Sequence, residues 1–204
     1  MLIPFTDLPE SEAYLAFSQI IVPRPIAWVS TVDADGVGNL APFSFFQAVG
    51  AEPPSVIVSI GRHRDGAYKD TGVNLRATGE AVVNVVTDDL AEAMNLTAGE
   101  QPFGVDELAL AGLTPAPCRH VAAPRVAESP ISLECRLAQE VQIGDTENAY
   151  FVAVLEVVAF HVRDDLYDDG RIDPRKLLPL SRLGGNAYAH PGEVFEMERP
   201  PGAR

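Results

Sequence analysis

Cysteine is scarce in this chain: only Cys118 and Cys135 occur among its 204 residues. Neither belongs to a CxxC pair or to another spacing typical of metal ligands, so the sequence predicts no metal site. Two isolated thiols without a partner motif are more typical of a reducing compartment than of a disulfide-bonded protein. We therefore expect reduced cysteines in a cytoplasmic protein.

Basic residues are also few: 15 Lys and Arg stand against 29 Asp and Glu, which gives a net charge of −14. This balance argues against a nucleic-acid backbone or an anionic membrane as a partner. One small phosphate group is still compatible with it, because a few local donors decide such binding. Long apolar runs are missing, and the N-terminus lacks the basic start of a secretory signal, so neither a membrane span nor a signal peptide is expected.

Catalytic and nucleotide-binding signatures are absent as well. The chain has no G-x-G-x-x-G, P-loop, G-x-S-x-G or H-E-x-x-H motif. Its four histidines, His63, His120, His161 and His190, are scattered. His161 lies in a strand pattern and is expected to be structural, whereas His63 lies near candidate phosphate donors. A chain without an acid–base set is well suited to a cofactor that carries out its own chemistry.

Strand patterns dominate what is present. The predicted strands cover residues 26–32, 38–46, 55–60, 81–86, 131–143 and 150–162, with a turn at Gly144-Asp145 between the last two. The predicted helices fill the gaps at 7–20, 69–78, 88–94 and 105–110; Asp70 or Thr71 is expected to cap the second, and Gly79 to end it. The fold class is therefore mainly β with helical insertions, a closed or partly open β-barrel in one domain over residues 1–204.

The stretch at 26–46 is the most informative one. Residues 26–32 read as a strand, and Asp33-Ala34-Asp35-Gly36 is turn chemistry. The return arm then places Asn39, Pro42 and Ser44 among apolar residues. Pro42 cannot donate to a central ladder, so the backbone there bulges, lies at an edge or leaves the sheet. Two interpretations stay open: an ordinary edge hairpin with a proline bulge, or a wall for a cofactor.

A phosphate site is predicted between the third strand and the second helix. Ser59 and Arg62 end the strand, and Lys69 and Thr71 begin the helix. A helix N-terminus offers free N–H groups and the positive end of a dipole, to which these side chains add charge and hydroxyl donors. The alternative is that Asp70 or Thr71 only caps the helix and that Lys69 is solvated.

Taken together, these segments resemble the flavin reductase-like proteins of the FMN-binding split-barrel fold, which include flavin reductase components of two-component monooxygenases and flavoredoxins. The resemblance extends over residues 17–190, and its motifs agree in order and spacing. The matching segments are 23–31 (PRPIAWVST), 39–46 (NLAPFSFF), Pro53-Pro54, Lys69-Asp70-Thr71 with Asn74, 80–86, 127–135, Leu183-Gly184-Gly185 and Tyr188.

The resemblance implies a six-stranded split barrel, a homodimer and non-covalent FMN near the dimer interface. It also implies groups of flavin-binding residues: Trp28, Ser30 and Thr31 on one side of the flavin; Asn39, Ala41 and Pro42 along the ring edge, mainly through backbone groups; Ser44, Phe45 and Phe46 beneath the ring; and Ser59, Gly61, Arg62, Lys69 and Thr71 at the phosphate. Tyr188 and His190 would lie near the ring as candidates for assisting the reaction. No catalytic side chain is assigned, because the chemistry is expected on the flavin.

The implied activity is hydride transfer from NADH or NADPH to the flavin, with reduced flavin or electrons passed to an acceptor, such as a partner monooxygenase. One alternative is a flavoredoxin-like electron carrier that holds FMN tightly and is reduced by another protein. Another is a split barrel for haem or a deazaflavin. Haem would need His63 or His120 as an axial ligand, and a deazaflavin with an anionic tail would call for more basic residues than the chain has.

Overall fold

The computed structural model describes residues 1–63, 65–144, 149–200 and 202. The predicted turn at Gly144-Asp145 therefore lies partly outside the described residues, since Asp145 is not among them. None of the described helices is long and apolar enough to cross a membrane.

Short helices are inserted between strands. The α-helices are α1 (Glu10–Ile20), α2 (Asp70–Thr78), α3 (Ala91–Leu96), α4 (Glu107–Leu110) and α5 (Pro174–Leu177), and three 3-10 turns cover Phe5–Asp7, Asp88–Leu90 and Asp164–Leu166. Gly79 ends α2 in the left-handed region, with φ 72°, as predicted. The predicted capping by Asp70 or Thr71 is wrong: Lys69 is the N-cap, and no side chain caps the helix.

Strands make up most of the rest. They are β1 (Arg24–Pro25), β2 (Ala27–Val32), β3 (Gly38–Phe43), β4 (Phe46–Ala51), β5 (Pro54–Ile60), β6 (Glu80–Val85), β7 (Pro115–Ala116), β8 (Arg125–Val126), β9 (Ile131–Ile143), β10 (Tyr150–Val162), β11 (Tyr167–Asp168), β12 (Arg171–Ile172), β13 (Ser181–Gly184) and β14 (Ala187–Ala189). The two long strands β9 and β10 have the bounds that the sequence predicts. They pair antiparallel along their whole lengths.

The main sheet has seven antiparallel strands in the order β3-β2-β6-β9-β10-β5-β4. Its two edge strands, β3 and β4, are joined only by Ser44 and Phe45. The three peptide links from Phe43 to Phe46 span at most about 11 Å. The two edges must therefore lie close together, which requires the sheet to be rolled into a barrel.

The same junction explains a difference from the prediction. The sequence predicts one strand over 38–46, but the structure divides it into β3 and β4 at Ser44-Phe45. The junction is tied to β5, the neighbour of β4 in the sheet, by a 2.9 Å hydrogen bond from the Ser59 N–H to the Phe45 carbonyl. Because the predicted strand is two strands at opposite edges, the main sheet has seven strands where the resemblance implies six.

Two apolar layers lie on either side of β2. The barrel interior holds Ala27 and Val29 with residues of five other strands, among them Val58 and Phe151. Alternation along the strand turns Trp28 outward, into a second cluster with Leu40, Met94 and Leu108 that the helices cover. The barrel wall at β2 is thus buried on both faces, and all six of its residues are buried.

Candidate functional site

Three cavities meet at Pro42, with volumes of about 240, 70 and 410 Å³. Pro42 lines all three of them. Ten residues predicted from the sequence as flavin ligands line at least one cavity: Asn39, Ala41, Pro42, Ser44, Phe45, Ser59, Gly61, Arg62, Lys69 and Thr71. The structure therefore brings most of the predicted site together in one connected cleft.

Pro42 lies on the edge strand β3, one of the three placements that its sequence allows. The N–H of Leu40 points away from the sheet, because it donates a 2.9 Å hydrogen bond to Oε2 of Glu107. Backbone groups alternate sides along a strand, so Pro42, two residues on, also faces outward. No ladder hydrogen bond is lost at the proline, and its carbonyl also faces outward from the sheet.

The buried side chain of Glu107 holds the edge strand β3 in place by accepting the hydrogen bond from Leu40. Burial raises the pKa of its carboxyl, and the hydrogen bond from the Leu40 N–H opposes that rise. Glu107 lines the smallest cavity next to Asn39 and Lys69. Sequence reasoning assigned it no role, because a single glutamate in a short helix gives no signal.

The N-terminus of α2 forms the polar end of the cleft. The N–H groups of Gly72 and Val73 bond to the carbonyl of Lys69, at 2.8 and 3.1 Å. Those of Asp70 and Thr71, the first two residues of the helix, have no carbonyl within the helix to bond. Within the described parts of the chain, no carboxylate pairs with the Lys69 ammonium, which lies 5.9 Å from the Phe43 ring centroid. This end has the donors and the charge to hold an anion.

Arg62 and His63 add to the polar end. The guanidinium of Arg62 stacks 3.8 Å over the Tyr68 ring, and its Nη1 donates to the Gly66 carbonyl at 2.9 Å. Nε2 of His63 is 3.8 Å from Oδ1 of Asp70. Both side chains line the 410 Å³ cavity together with Ser59 and Gly61.

A buried amide–hydroxyl network connects β2, β3 and α2. Nδ2 of Asn39 donates to Oγ1 of Thr31 at 3.1 Å and to Oγ1 of Thr71 at 2.9 Å. Asn74 donates to the same Thr31 oxygen at 3.1 Å. Thr31 is fully buried and lines none of the three cavities. It fixes the position of Asn39, and through it of Thr71, relative to the barrel.

Three other predicted residues lie away from the cleft. Trp28 and Ser30 are fully buried on the outer face of β2, where Ser30 donates to the Pro124 carbonyl at 2.5 Å. Phe46 packs against the barrel interior. The residue types in the motif gave no indication of which strand face each side chain takes, and alternation along β2 turns Trp28 and Ser30 away from the barrel interior.

The C-terminal residues Tyr188 and His190 line none of the three cavities. Tyr188 packs against the outer apolar cluster, with the Arg182 guanidinium 4.4 Å from its ring centroid. Nε2 of His190 is 3.6 Å from Oδ1 of Asp88. His120, the other histidine considered for an axial ligand, is exposed and also lies outside the cleft.

Sequence reasoning assigned no site role to most residues of the 240 Å³ cavity, among them Tyr14 of α1, Arg24 of β1 and Arg182 of β13. Arg24 is buried, although arginine is normally exposed. Its position between Pro23 and Pro25 was a signal that could have been used, because a charged residue in a stiff, apolar segment needs specific partners.

Comparison with known proteins gives three consistent results. Residues 18–179 match the family described as flavin reductase like domain. An uncharacterized protein of Halalkalibacterium halodurans is 43% identical over 196 residues, which covers 95% of this chain and 94% of that protein. Both matches cover most of the chain.

Two solved structures are similar over almost the whole length. Nitrilotriacetate monooxygenase component B from Bacillus cereus is 38% identical, with a TM-score of 0.93 over 97% of this chain and 98% of that one. The flavoredoxin of Desulfovibrio vulgaris is 25% identical, with a TM-score of 0.75 over 90% and 94%.

Proposed function

Because the chain belongs to the flavin reductase-like family, we propose that it is an FMN-binding oxidoreductase that uses NADH or NADPH as the reductant. Its membership of that family and its mainly β split-barrel fold confirm the resemblance seen in the sequence. FMN, when bound, supplies the hydride-accepting chemistry. The observation that carries the proposal is the cleft at Pro42. In it, the polar end at the start of α2 adjoins the outward-facing main chain of the edge strand β3.

The polar end fits the phosphate of FMN. The first two N–H groups of α2, which have no acceptor within the helix, lie at this end with the Lys69 ammonium and the Arg62 guanidinium. A phosphate dianion would gain charge-assisted hydrogen bonds from such donors. The carboxylate of Asp70 in the same turn opposes an anion, and His63, 3.8 Å away, offsets it when protonated.

The edge of β3 fits the polar side of a flavin ring. The outward carbonyl of Pro42 is an acceptor for a ring N–H, and Asn39 and Ala41 line the cavity beside it. Ser44 and Phe45, at the junction between β3 and β4, line the 410 Å³ cavity. These residues would bind and orient the ring, and exclude water from one of its faces.

The 240 Å³ cavity fits part of the nicotinamide nucleotide. Arg24 and Arg182 give it a positive character that attracts an anionic ligand, and Tyr14 and Ser44 add hydroxyl groups. Pro42, Phe43 and Ser44 line both this cavity and the 410 Å³ cavity, so the two cavities adjoin. Such an arrangement would place two ligands side by side, which lowers the entropic cost of their reaction.

A second copy of the chain is the partner that the surface beside the cleft fits. A broad cavity of about 1180 Å³ is lined by exposed apolar and aromatic side chains, including Phe5, Tyr14, Phe17, Ile143 and Tyr150. Contiguous apolar surface of this kind is typical of interfaces. Light scattering coupled to gel filtration would give twice the chain mass for a homodimer, and the mass of one chain would contradict it.

Anaerobic stopped-flow spectroscopy of the FMN-reconstituted protein tests the activity. Fast, saturable bleaching of the flavin by NADH or NADPH is expected, and the faster nucleotide identifies the physiological reductant. No bleaching despite bound flavin would overturn the reductase proposal. That outcome would favour an electron carrier, the second candidate, which the likeness to a flavoredoxin supports. A partner monooxygenase or electron-transfer protein is part of either proposal.

A further inference from the structure

The strongest feature outside the cleft is a group of three metal-ligating side chains. Sγ of Cys118, a carboxylate oxygen of Glu134 and a ring nitrogen of His161 all lie within 4.8 Å of one another. Thiolate, carboxylate and imidazole are the ligand types that zinc accepts. We propose that Cys118, Glu134 and His161 form a zinc-binding site with three protein ligands. None of the three lines the cleft at Pro42.

The sheet positions two of the ligands. Glu134 of β9 pairs with Ala159 of β10, and His161 follows two residues later on the same face. Such diagonal neighbours are within reach of long side chains. Nε2 of His161 lies 2.6 Å from Oε1 of Glu134. The sequence predicts no metal site because these residues are far apart along the chain, and only strand pairing brings them together.

Cys118 comes from the segment between β7 and β8, which covers the outer face of the sheet. Val121 and Ala123 of that segment pack with Cys118 against Val82. The main chain next to Cys118 also holds the carboxylate: the N–H of Arg119 donates to Oε1 of Glu134 at 2.9 Å, and that of His120 to Oε2 at 2.6 Å. Outer donors of this kind orient a ligating carboxylate.

The carboxylate has capacity for a metal. Glu134 is fully buried, and its two oxygens offer about four lone-pair positions, of which the N–H groups of Arg119 and His120 use two. On binding, zinc takes the place of the hydrogen bond between His161 and Glu134. The Cys118 thiol loses its proton to solvent and the neutral imidazole binds through Nε2, so thiolate and carboxylate balance the two positive charges of zinc.

Only a small rearrangement is required. In a tetrahedral zinc site the ligand atoms lie about 3.3–3.6 Å apart. Here Nε2 of His161 and Oε1 of Glu134 are 2.6 Å apart, and all three ligand atoms lie within 4.8 Å of one another. The His161 side chain is 34% exposed and Cys118 lies outside the long strands, so both can make the shift of up to about 1.5 Å that this spacing needs. Solvent reaches the group at His161, where water can complete the tetrahedron.

Metal titration tests the site. Protein freed of metal with a chelator is titrated with Zn²⁺ by calorimetry, and with Co²⁺ to record the thiolate-to-metal charge-transfer band. One zinc per chain is expected, with affinity at least ~100-fold weaker in Cys118→Ser and His161→Gln. The matched control is His190→Gln, an exposed histidine outside this group whose Nε2 lies 3.6 Å from Oδ1 of Asp88, and this variant should bind zinc as the wild type does.

Either of two results would contradict the zinc site. Wild-type affinity within about threefold of the Cys118→Ser value, or a Co²⁺ spectrum without the thiolate band, would show that Glu134 only clamps the covering segment. Both variants keep Glu134 and its two main-chain donors, so folding is expected to be preserved, and circular dichroism checks this. If a variant unfolds, the wild-type Co²⁺ spectrum decides alone.

Discussion

The indole Nε1 of Trp28 donates a hydrogen bond of 2.8 Å to Oγ1 of Thr97. Both residues are buried, and Thr97 in turn donates to the Met94 carbonyl at 2.9 Å. The bond joins β2 to the end of α3, and the next residues, Ala98 and Gly99, line the 70 Å³ cavity. Trp28 therefore stabilises the wall of the cleft that Ala98 and Gly99 form, without lining the cleft itself.

Replacing Trp28 distinguishes a structural role from direct contact with the flavin. Trp28→Phe is expected to lower the free energy of unfolding by about 2 kcal/mol, through lost volume and a lost buried hydrogen bond. With Thr97→Val in a double-mutant cycle, a coupling of about 1 kcal/mol is expected from urea denaturation. The FMN dissociation constant should change by less than about threefold, because Trp28 is fully buried. Abolished FMN binding at unchanged stability would instead show that Trp28 contacts the flavin.

Arg24 connects three parts of the fold, and its replacement should destabilise all of them. Its Nη1 donates to the carbonyls of Ser18, of Ile21 at 2.6 Å and of Leu183 at 3.2 Å, and its Nε donates to Oγ of Ser44 at 3.4 Å. Lysine cannot reproduce this planar set of donors. Arg24→Lys is expected to cost about 1.5–3 kcal/mol of stability in urea denaturation.

The control for that variant is Arg175→Lys, an exposed arginine of α5. Its free energy of unfolding should stay within about 0.5 kcal/mol of the wild type. If Arg24→Lys were as stable as this control, the end of α1 and β13 would have to be held by other contacts.

Much of the fold could be predicted from the sequence, because the signals were local. The 13-residue strands β9 and β10 follow long apolar patterns, and Gly79 marks the end of α2. The break at Ser44-Phe45 could not be predicted, because the segment keeps strand-forming residues across it. It arises from the closure of the barrel, which is a property of the whole sheet.

The site was predictable to a similar extent. Residues predicted on the edge strand and at the start of α2 line the candidate cleft, and the sequence pointed to them because Pro42 and Lys69 carry local signals. Trp28 and Ser30 were assigned by position in a motif, which does not specify the face of the strand. The cluster at Glu134 depends on residues 16 and 27 positions away, and no spacing rule connects them.

Lys69 is expected to contribute directly to FMN binding. Lys69→Ala removes an ammonium that has no ion-pair partner among the described residues and lies at the start of α2. A charge-assisted phosphate contact is worth about 1.5–3 kcal/mol, so the FMN dissociation constant should rise about 10- to 150-fold. Quenching of flavin fluorescence on titration measures it.

The other lysine of the chain supplies the control. Lys176 is exposed on α5, and Lys176→Ala makes the same change in net charge. Its FMN affinity should equal that of the wild type. Equal FMN affinities for the two variants would show that Lys69 does not contact the FMN phosphate.

Glu134 should make stability depend on pH. Burial acts to raise the pKa of its carboxyl, but hydrogen bonds from the Arg119 N–H, His161 and the His120 N–H outweigh burial and lower it. A lowered pKa in the folded state contributes stability above the unfolded value of about 4.5, and this stability is lost as the pH falls through the folded pKa.

Glu134→Gln, compared with the wild type in the presence of a chelator, tests this contribution. Glutamine offers one acceptor oxygen and turns an NH₂ group toward a main-chain donor, so a loss of about 1.5–3 kcal/mol is expected at pH 7. The difference should shrink as the pH falls below about 4.5, because the carboxyl of the unfolded wild type then binds a proton that the folded state resists. Glu128→Gln is the matched control, since Glu128 also accepts from a backbone N–H, that of Thr114 at 3.0 Å, but is exposed. A difference between Glu134→Gln and the wild type that is constant from pH 7 to pH 4 would mean that the charge on Glu134 does not stabilise the fold.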